Sequence, residues 1–170
     1  MEQNVSMKIN ELPSPTWNWL KVNETPIKWS NKIEPCEIAA EGDAVSAETE
    51  QLSDIETGAG READAIFATE NTAKYQILAD NAGQDKTVRL HISGKKDAHT
   101  AGCVEIVAKE NSTLTVVMDS RVAPDATKEE DSTAEASLAV RVRMKVESGA
   151  SVRLVQVQMP QEHETLLSDI

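Results

Sequence analysis

Ile106-Val-Ala-Lys-Glu-Asn-Ser-Thr-Leu-Thr-Val-Val117 superimposes without a gap on Met144-Lys-Val-Glu-Ser-Gly-Ala-Ser-Val-Arg-Leu-Val155, at an offset of 144 − 106 = 38 residues. Ile106 meets Met144, Ala108 meets Val146, Leu114 meets Val152 and Val116 meets Leu154, so the alternate apolar positions coincide. Asn111 meets Gly149, the two residue types that best tolerate a left-handed backbone. Each copy therefore reads as strand, tight corner, strand. The corners Glu110-Asn-Ser-Thr113 and Glu147-Ser-Gly-Ala150 lack the Asn-Gly or Asp-Gly pair that favours a two-residue hairpin.

The pattern extends to both sides. Leu138, Val140, Val142, Met144 and Val146 alternate with Ala139, Arg141, Arg143, Lys145 and Glu147, the period of a half-buried strand. Val140, Val142, Met144 and Val146 are expected inward, and Arg141, Arg143 and Lys145 outward. Arg153 is expected beside them on the next strand, extending a local positive row whose bland reading is a solvated outer face. Val88, Leu90 and Ile92 alternate in the same way, as do Val104, Ile106 and Ala108. Tyr75–Ile92 reads as an earlier unit, with Asp80-Asn-Ala-Gly83 at its corner. In Val152–Met159 the phase switches between Leu154 and Val155, which suggests a bulge or bend.

Two architectures fit these strands. One is a parallel β-helix, in which each corner bends the chain onto the next coil. Setting aside Asp119–Glu135 as an inserted surface loop leaves 38 − 17 = 21 residues per unit, close to one coil. The alternative is a β-sandwich of antiparallel hairpins. A hairpin over 104–109 and 113–118 would favour the sandwich.

The 170 residues divide into three parts. Residues 1–33 form an N-terminal segment, with Ser14 and Pro15 suited to start a short helix that carries Trp17, Trp19 and Leu20 and stops near Asn23. Residues 34–70 hold 11 acids against Arg61 alone and read as an acidic linker or loosely docked segment. A short helix at Ala44–Ile55 would place Val45, Leu52 and Ile55 on one face. Residues 71–170 hold the strands.

Composition narrows the function. The net charge of −12 argues against a nucleic-acid or anionic-membrane footprint. The five aromatics, Trp17, Trp19, Trp29, Phe67 and Tyr75, all precede residue 76, so the later strands offer no stacking platform. No apolar run is long enough to span a bilayer, and no apolar leader follows Met1, so a cytoplasmic location is expected. Cys36 and Cys103 have neither disulfide-framework nor metal spacing and read as two free thiols. His91, His99 and His163 are scattered, and the pair His99 and Cys103 is too small a set for a metal. Gly58-Ala-Gly60 is not a phosphate loop, and neither a Walker motif nor a nucleophile elbow occurs.

Thr16-Trp-Asn-Trp-Leu-Lys-Val-Asn23 resembles the N-terminal motif of SufD-type iron–sulfur cluster assembly proteins. The strands around Glu110–Thr113 and Glu147–Ala150, continuing into Val152-Arg-Leu-Val-Gln-Val-Gln158, look like coils of the SufB/SufD core. The resemblance implies a right-handed parallel β-helix after a helical N-terminal segment. It also implies a cytoplasmic, non-enzymatic scaffold, whose partners are a SufB-like paralogue and a SufC-like ATPase. No nucleic acid and no membrane are expected as partners. An iron–sulfur cluster would belong to the full complex, with no cofactor held by this chain alone. The family's cluster-building cysteine and histidine match nothing here, so no catalytic, cofactor-binding or metal-binding residue is expected. The alternative function is a β-helix carbohydrate-binding or carbohydrate-processing domain. Within the resemblance, further coils and the ATPase-holding region are expected after Ile170, and a chain ending there is expected to be marginally stable and to associate through an open end.

Overall fold

The computed structural model describes residues 4–9, 25–30, 32–53, 61–80, 82–123 and 136–170. The helix expected near Ser14–Leu20 and the Trp17/Trp19 motif lie outside them, as does Gly58-Ala-Gly60. Among the described residues twelve strands and one short helix make the fold mostly β. In order, the elements are β1 (Asn4–Ile9), β2 (Thr25–Ser30), β3 (Ile33–Pro35), β4 (Glu37–Gly42), β5 (Val45–Glu48), α1 (Arg61–Phe67), β6 (Ala73–Ala79), β7 (Asp85–Ser93), β8 (His99–Ala108), β9 (Thr113–Arg121), β10 (Ala136–Val146), β11 (Ser151–Gln158) and β12 (Glu164–Asp169).

From β6 onward, successive strands alternate between two sheets. A six-stranded sheet has the order β12-β10-β8-β6-β5, with β3 also paired to β8; a four-stranded sheet has the order β11-β9-β7-β4. The pairs β6–β8, β8–β10 and β10–β12 are parallel, as are β7–β9 and β9–β11. Antiparallel pairing is confined, among the described residues, to β1–β2, β4–β7 and β5–β6. β8 and β9 lie in different sheets, so the hairpin over 104–118 does not form.

The observed register is that of the repeat. Ile106 faces Met144 across β8–β10, and Leu114 faces Val152 across β9–β11. The matched corners adopt the left-handed backbone that their residue types favour, with φ 58° at Asn111 and 70° at Gly149. Asn111 N–H donates to the Ser148 carbonyl at 3.0 Å, and Gly83 N–H donates to the Asn111 carbonyl at 3.1 Å. The corners of three successive units are thus tied to one another, including the one read at Asp80–Gly83.

The main core lies between the two sheets. Ile77, Val104, Ile106 and Leu138 from one meet Val88, Leu90, Leu114, Val116 and Met118 from the other. A core of aliphatic side chains with one tyrosine is what the composition after residue 70 permits. A second cluster lies on the outer face of the six-stranded sheet, where Trp29, Ile66 and Phe67 cover Ala101, Cys103 and Ala139.

Several sequence expectations are corrected. Val45–Glu48 is a strand paired with β6, not the start of a helix over Ala44–Ile55. Within the acidic stretch, β4 pairs with β7 and turns Ile38 and Ala40 onto the core while Glu37 and Glu41 stay in solvent. The helix of this region is α1. The loop assigned to Asp119–Glu135 begins later, because β9 runs to Arg121. No bulge interrupts β11; its register with β9 is continuous, so Val155 and Val157 sit on the outer face. Val140 and Val142 are buried as expected, but Met144 and Val146 are 39% and 47% exposed. The reason is that β12 accompanies β10 only as far as the Arg141–Asp169 pair, leaving residues 142–146 without a strand on that side.

A side chain at position 149 would be strained twice. The backbone is left-handed, and a Cβ would run into the Asn111 side-chain oxygen. Gly149→Val is expected to cost about 1–3 kcal/mol and to lower the thermal midpoint. An unchanged melt would mean that the stacked corners are not rigid.

Candidate functional site

Parallel register brings residues of successive strands into rows across each sheet. On the outer face of the six-stranded sheet one row is Gln76, Glu105 and Arg143, and the next is Lys74, Cys103, Arg141 and Asp169. A polar row at outward positions is ordinary in a sheet open to water. Here the face is covered by α1, Leu52 and Trp29, so the row is enclosed.

Glu105 is fully buried. Its carboxylate accepts hydrogen bonds from the Ser53 N–H at 2.9 Å and the Gln76 side-chain amide at 2.6 Å. Arg143 donates to the Ser53 carbonyl at 3.1 Å. The segment before α1 is thus fastened to the sheet through Ser53. Burial alone would raise the pKa of Glu105, but the hydrogen bonds from Ser53 and Gln76, with the Arg143 charge, outweigh it and hold the carboxyl below its ordinary value of 4.5.

Arg141, expected in a solvated outward row, is 3% exposed. Its guanidinium donates to Asp169 at 2.5 Å and to Asp64 at 2.7 Å, and lies 4.2 Å from the centre of the Phe67 ring. Two carboxylates and a ring face compensate the burial of its charge. The contact joins α1 to β12. Arg153 does not extend this row, because β11 belongs to the other sheet, where Arg153 pairs with Thr115.

The remaining sequence candidates are dispersed. Cys36 and Cys103 are buried free thiols. Burial, with a smaller contribution from the neighbouring Cys103, pushes the Cys36 thiol up to about 12. Burial also raises Cys103, despite Arg141, Arg143 and Lys74 nearby. Both thiols stay protonated at neutral pH and are poor nucleophiles. His99 and Cys103 lie on one face of β8, four residues and so about 13 Å apart, too far to share a metal. His99 stacks at a tilt on Trp29, with ring centres 5.6 Å apart. His91 lies 3.8 Å from Asp119 on the outer face of the four-stranded sheet, and His163 sits in the turn before β12 with φ 67°. Among the described residues, no group of three or more His, Cys, Asp and Glu side chains could hold a metal, and no helix is long and apolar enough to cross a membrane.

A cleft of about 820 Å³ opens where β3 and β4 pass from one sheet to the other. Cys36, Ile38 and Tyr75 are among its lining residues, as are Glu37, Lys74 and Lys95. Lys74 is engaged with the Glu50 carbonyl and Lys95 with Glu34. With an unreactive thiol and committed lysines, the cleft presents no activated group.

Sequence reasoning missed the buried Glu105 and Arg141, although the repeat contains a signal for them. Extended upstream, the same offset sets Glu105 beside Arg143 and Cys103 beside Arg141. What it lacks is the covering layer.

Because Glu105 is held below its ordinary value, its stabilising contribution is present above pH 4.5 and is lost as pH falls through the lower folded value. Glu105→Gln is expected to destabilise the protein at pH 7 by about 1–3 kcal/mol, with the gap to the parent chain narrowing as the pH falls below 4.5. Thermal melts across that range check this; a gap independent of pH would contradict it.

Comparison with protein-family models, with curated proteins and with solved structures finds no match to this chain.

Proposed function

We propose that the chain is a SufD-like scaffold subunit of a cytoplasmic SufBCD-type iron–sulfur cluster assembly complex, non-catalytic by itself and built on a right-handed parallel β-helix. One observation carries the reading: the repeat with its 38-residue offset reappears as parallel register in both sheets, with strands alternating between the sheets and left-handed residues stacked at the corners. Successive stacked coils would produce such a register, which supports the reading. The Trp17/Trp19 motif adds the sequence support that points to this family rather than to β-helices in general.

The chemistry of the buried groups supports a scaffold. The buried charges fasten layers together, and the buried thiols are protonated. In this reading the coils provide a rigid body against which a SufB-like paralogue docks. The SufC-like ATPase supplies nucleotide hydrolysis, and the nascent cluster is the cargo of the whole complex.

Affinity isolation of the tagged chain from its native cytoplasm, with bound proteins identified by mass spectrometry, tests this. A SufB-like paralogue should be enriched, and the purified chain should neither hydrolyse ATP nor retain iron. Recovery without any cluster-assembly protein would contradict the reading. So would stoichiometric iron that is lost on Cys103→Ser.

A further inference from the structure

The buried apolar side chains form two clusters that share no member. One fills the space between the two sheets and draws nothing from α1. The other lies on the outer face of the six-stranded sheet, where Ile66 and Phe67 of α1 join Trp29, Ile33, Ala101, Cys103 and Ala139. Lifting α1 off the sheet would therefore leave the core between the sheets complete.

The attachment of α1 is slight. It has seven residues, too few to be stable as a helix by itself. Among the described residues, no backbone hydrogen bond joins it to either large sheet. Its other neighbour is β1, which pairs with β2 and with neither large sheet. Its polar hold on the sheet runs through Arg141, which meets Asp64 and the Phe67 ring. The Asp64 side chain is 44% exposed, so that ion pair is open to water and modest. When Asp64 leaves, Arg141 keeps Asp169 on β12, so opening strands no bare buried charge. The face beneath is rich in polar side chains, Gln76, Glu105, Arg143, Lys74, Arg141 and Asp169, which water can solvate in place of the cover.

Cys103 lies under this cover and is 4% exposed. Burial raises its thiol, aided by Asp169, while Arg141, Arg143 and Lys74 act the other way. Those cations belong to the sheet and stay when α1 lifts, whereas the burial ends. The uncovered thiol therefore ionises more readily than the covered one, and the thiolate is the reactive form. We propose that α1 is a separable cover, which lifts from the outer face of the six-stranded sheet while the core between the sheets stays folded, and that this opening is what admits electrophiles to Cys103. The proposal does not rest on the iron–sulfur reading.

The test treats the full chain with iodoacetamide at urea concentrations below the unfolding transition and follows labelling of the Cys103 peptide by mass spectrometry. In the reaction the sulfur displaces iodide and the thiol proton goes to solvent. Labelling should be about tenfold or more slower than in the unfolded chain. Because a local opening exposes little surface, the rate should stay nearly constant at low urea. Phe67→Ala, which removes a contact of the cover, should speed labelling about tenfold or more. Val116→Ala, in the core of the other sheet, should lower the urea midpoint and leave the labelling rate unchanged. Should either variant not fold, the urea dependence of the parent chain decides. A rate that rises steeply with urea in step with unfolding, or equal acceleration by the two variants, would overturn the proposal. So would no labelling of the folded chain, or labelling as fast as in the unfolded chain.

Discussion

The structure depends on the parallel register of β8 with β6 and β10. Because β8 lies between β6 and β10, each of its inward side chains must match an apolar residue on both sides. Ile106 therefore sits between Ile77 and Met144, and Val104 between Tyr75 and Val142. A slip of one residue would turn every one of these side chains outward and bring Glu105 and Arg141 into the aliphatic core. That cost, paid along two ladders at once, makes the register specific even though the inward residues are interchangeable aliphatics. The left-handed corners at Asn111 and Gly149 keep both ladders in phase, because each unit turns at an equivalent place.

Once that register is set, the outward rows follow from it without choice. Their fate depends on what lies above them. Over the six-stranded sheet, α1 and the segment reaching Ser53 form a second layer, so outward positions become interior ones. Glu105 and Arg141 then need partners, since an uncompensated buried charge is costly. The partners come from the covering layer itself: Ser53 for Glu105, and Asp64 with Phe67 for Arg141. The charges thus specify where the layer docks more than they add to stability. On the four-stranded sheet the equivalent rows have no such cover and stay exposed or half-buried.

Much of the strand region was legible. Alternation located β7 to β10, and the repeat anticipated their register and both left-handed corners, because period-two burial and backbone handedness are local properties of the chain. Other features were not legible. β4 and β5 carry mainly alanine and glutamate, and only the partnership with β7 and β6 makes strands of them; propensity pointed to helix or coil. Arg141 was read as solvated because alternation distinguishes inward from outward but cannot tell whether the outward side is roofed. Met144 and Val146 show the converse, with inward phase but no neighbouring strand to bury them.

The most direct test of the stacking is a cross-link across β9 and β11. Thr113 and Ser151 are exposed and are register partners, and neighbouring strands lie about 4.8 Å apart, within disulfide reach. In the double variant Thr113→Cys/Ser151→Cys, mild oxidation should form an intramolecular disulfide in nearly all molecules, while Thr113→Cys/Arg153→Cys, displaced along the strand, should remain largely reduced. The reverse result, or no disulfide in the first pair, would contradict the parallel register on which the whole account rests.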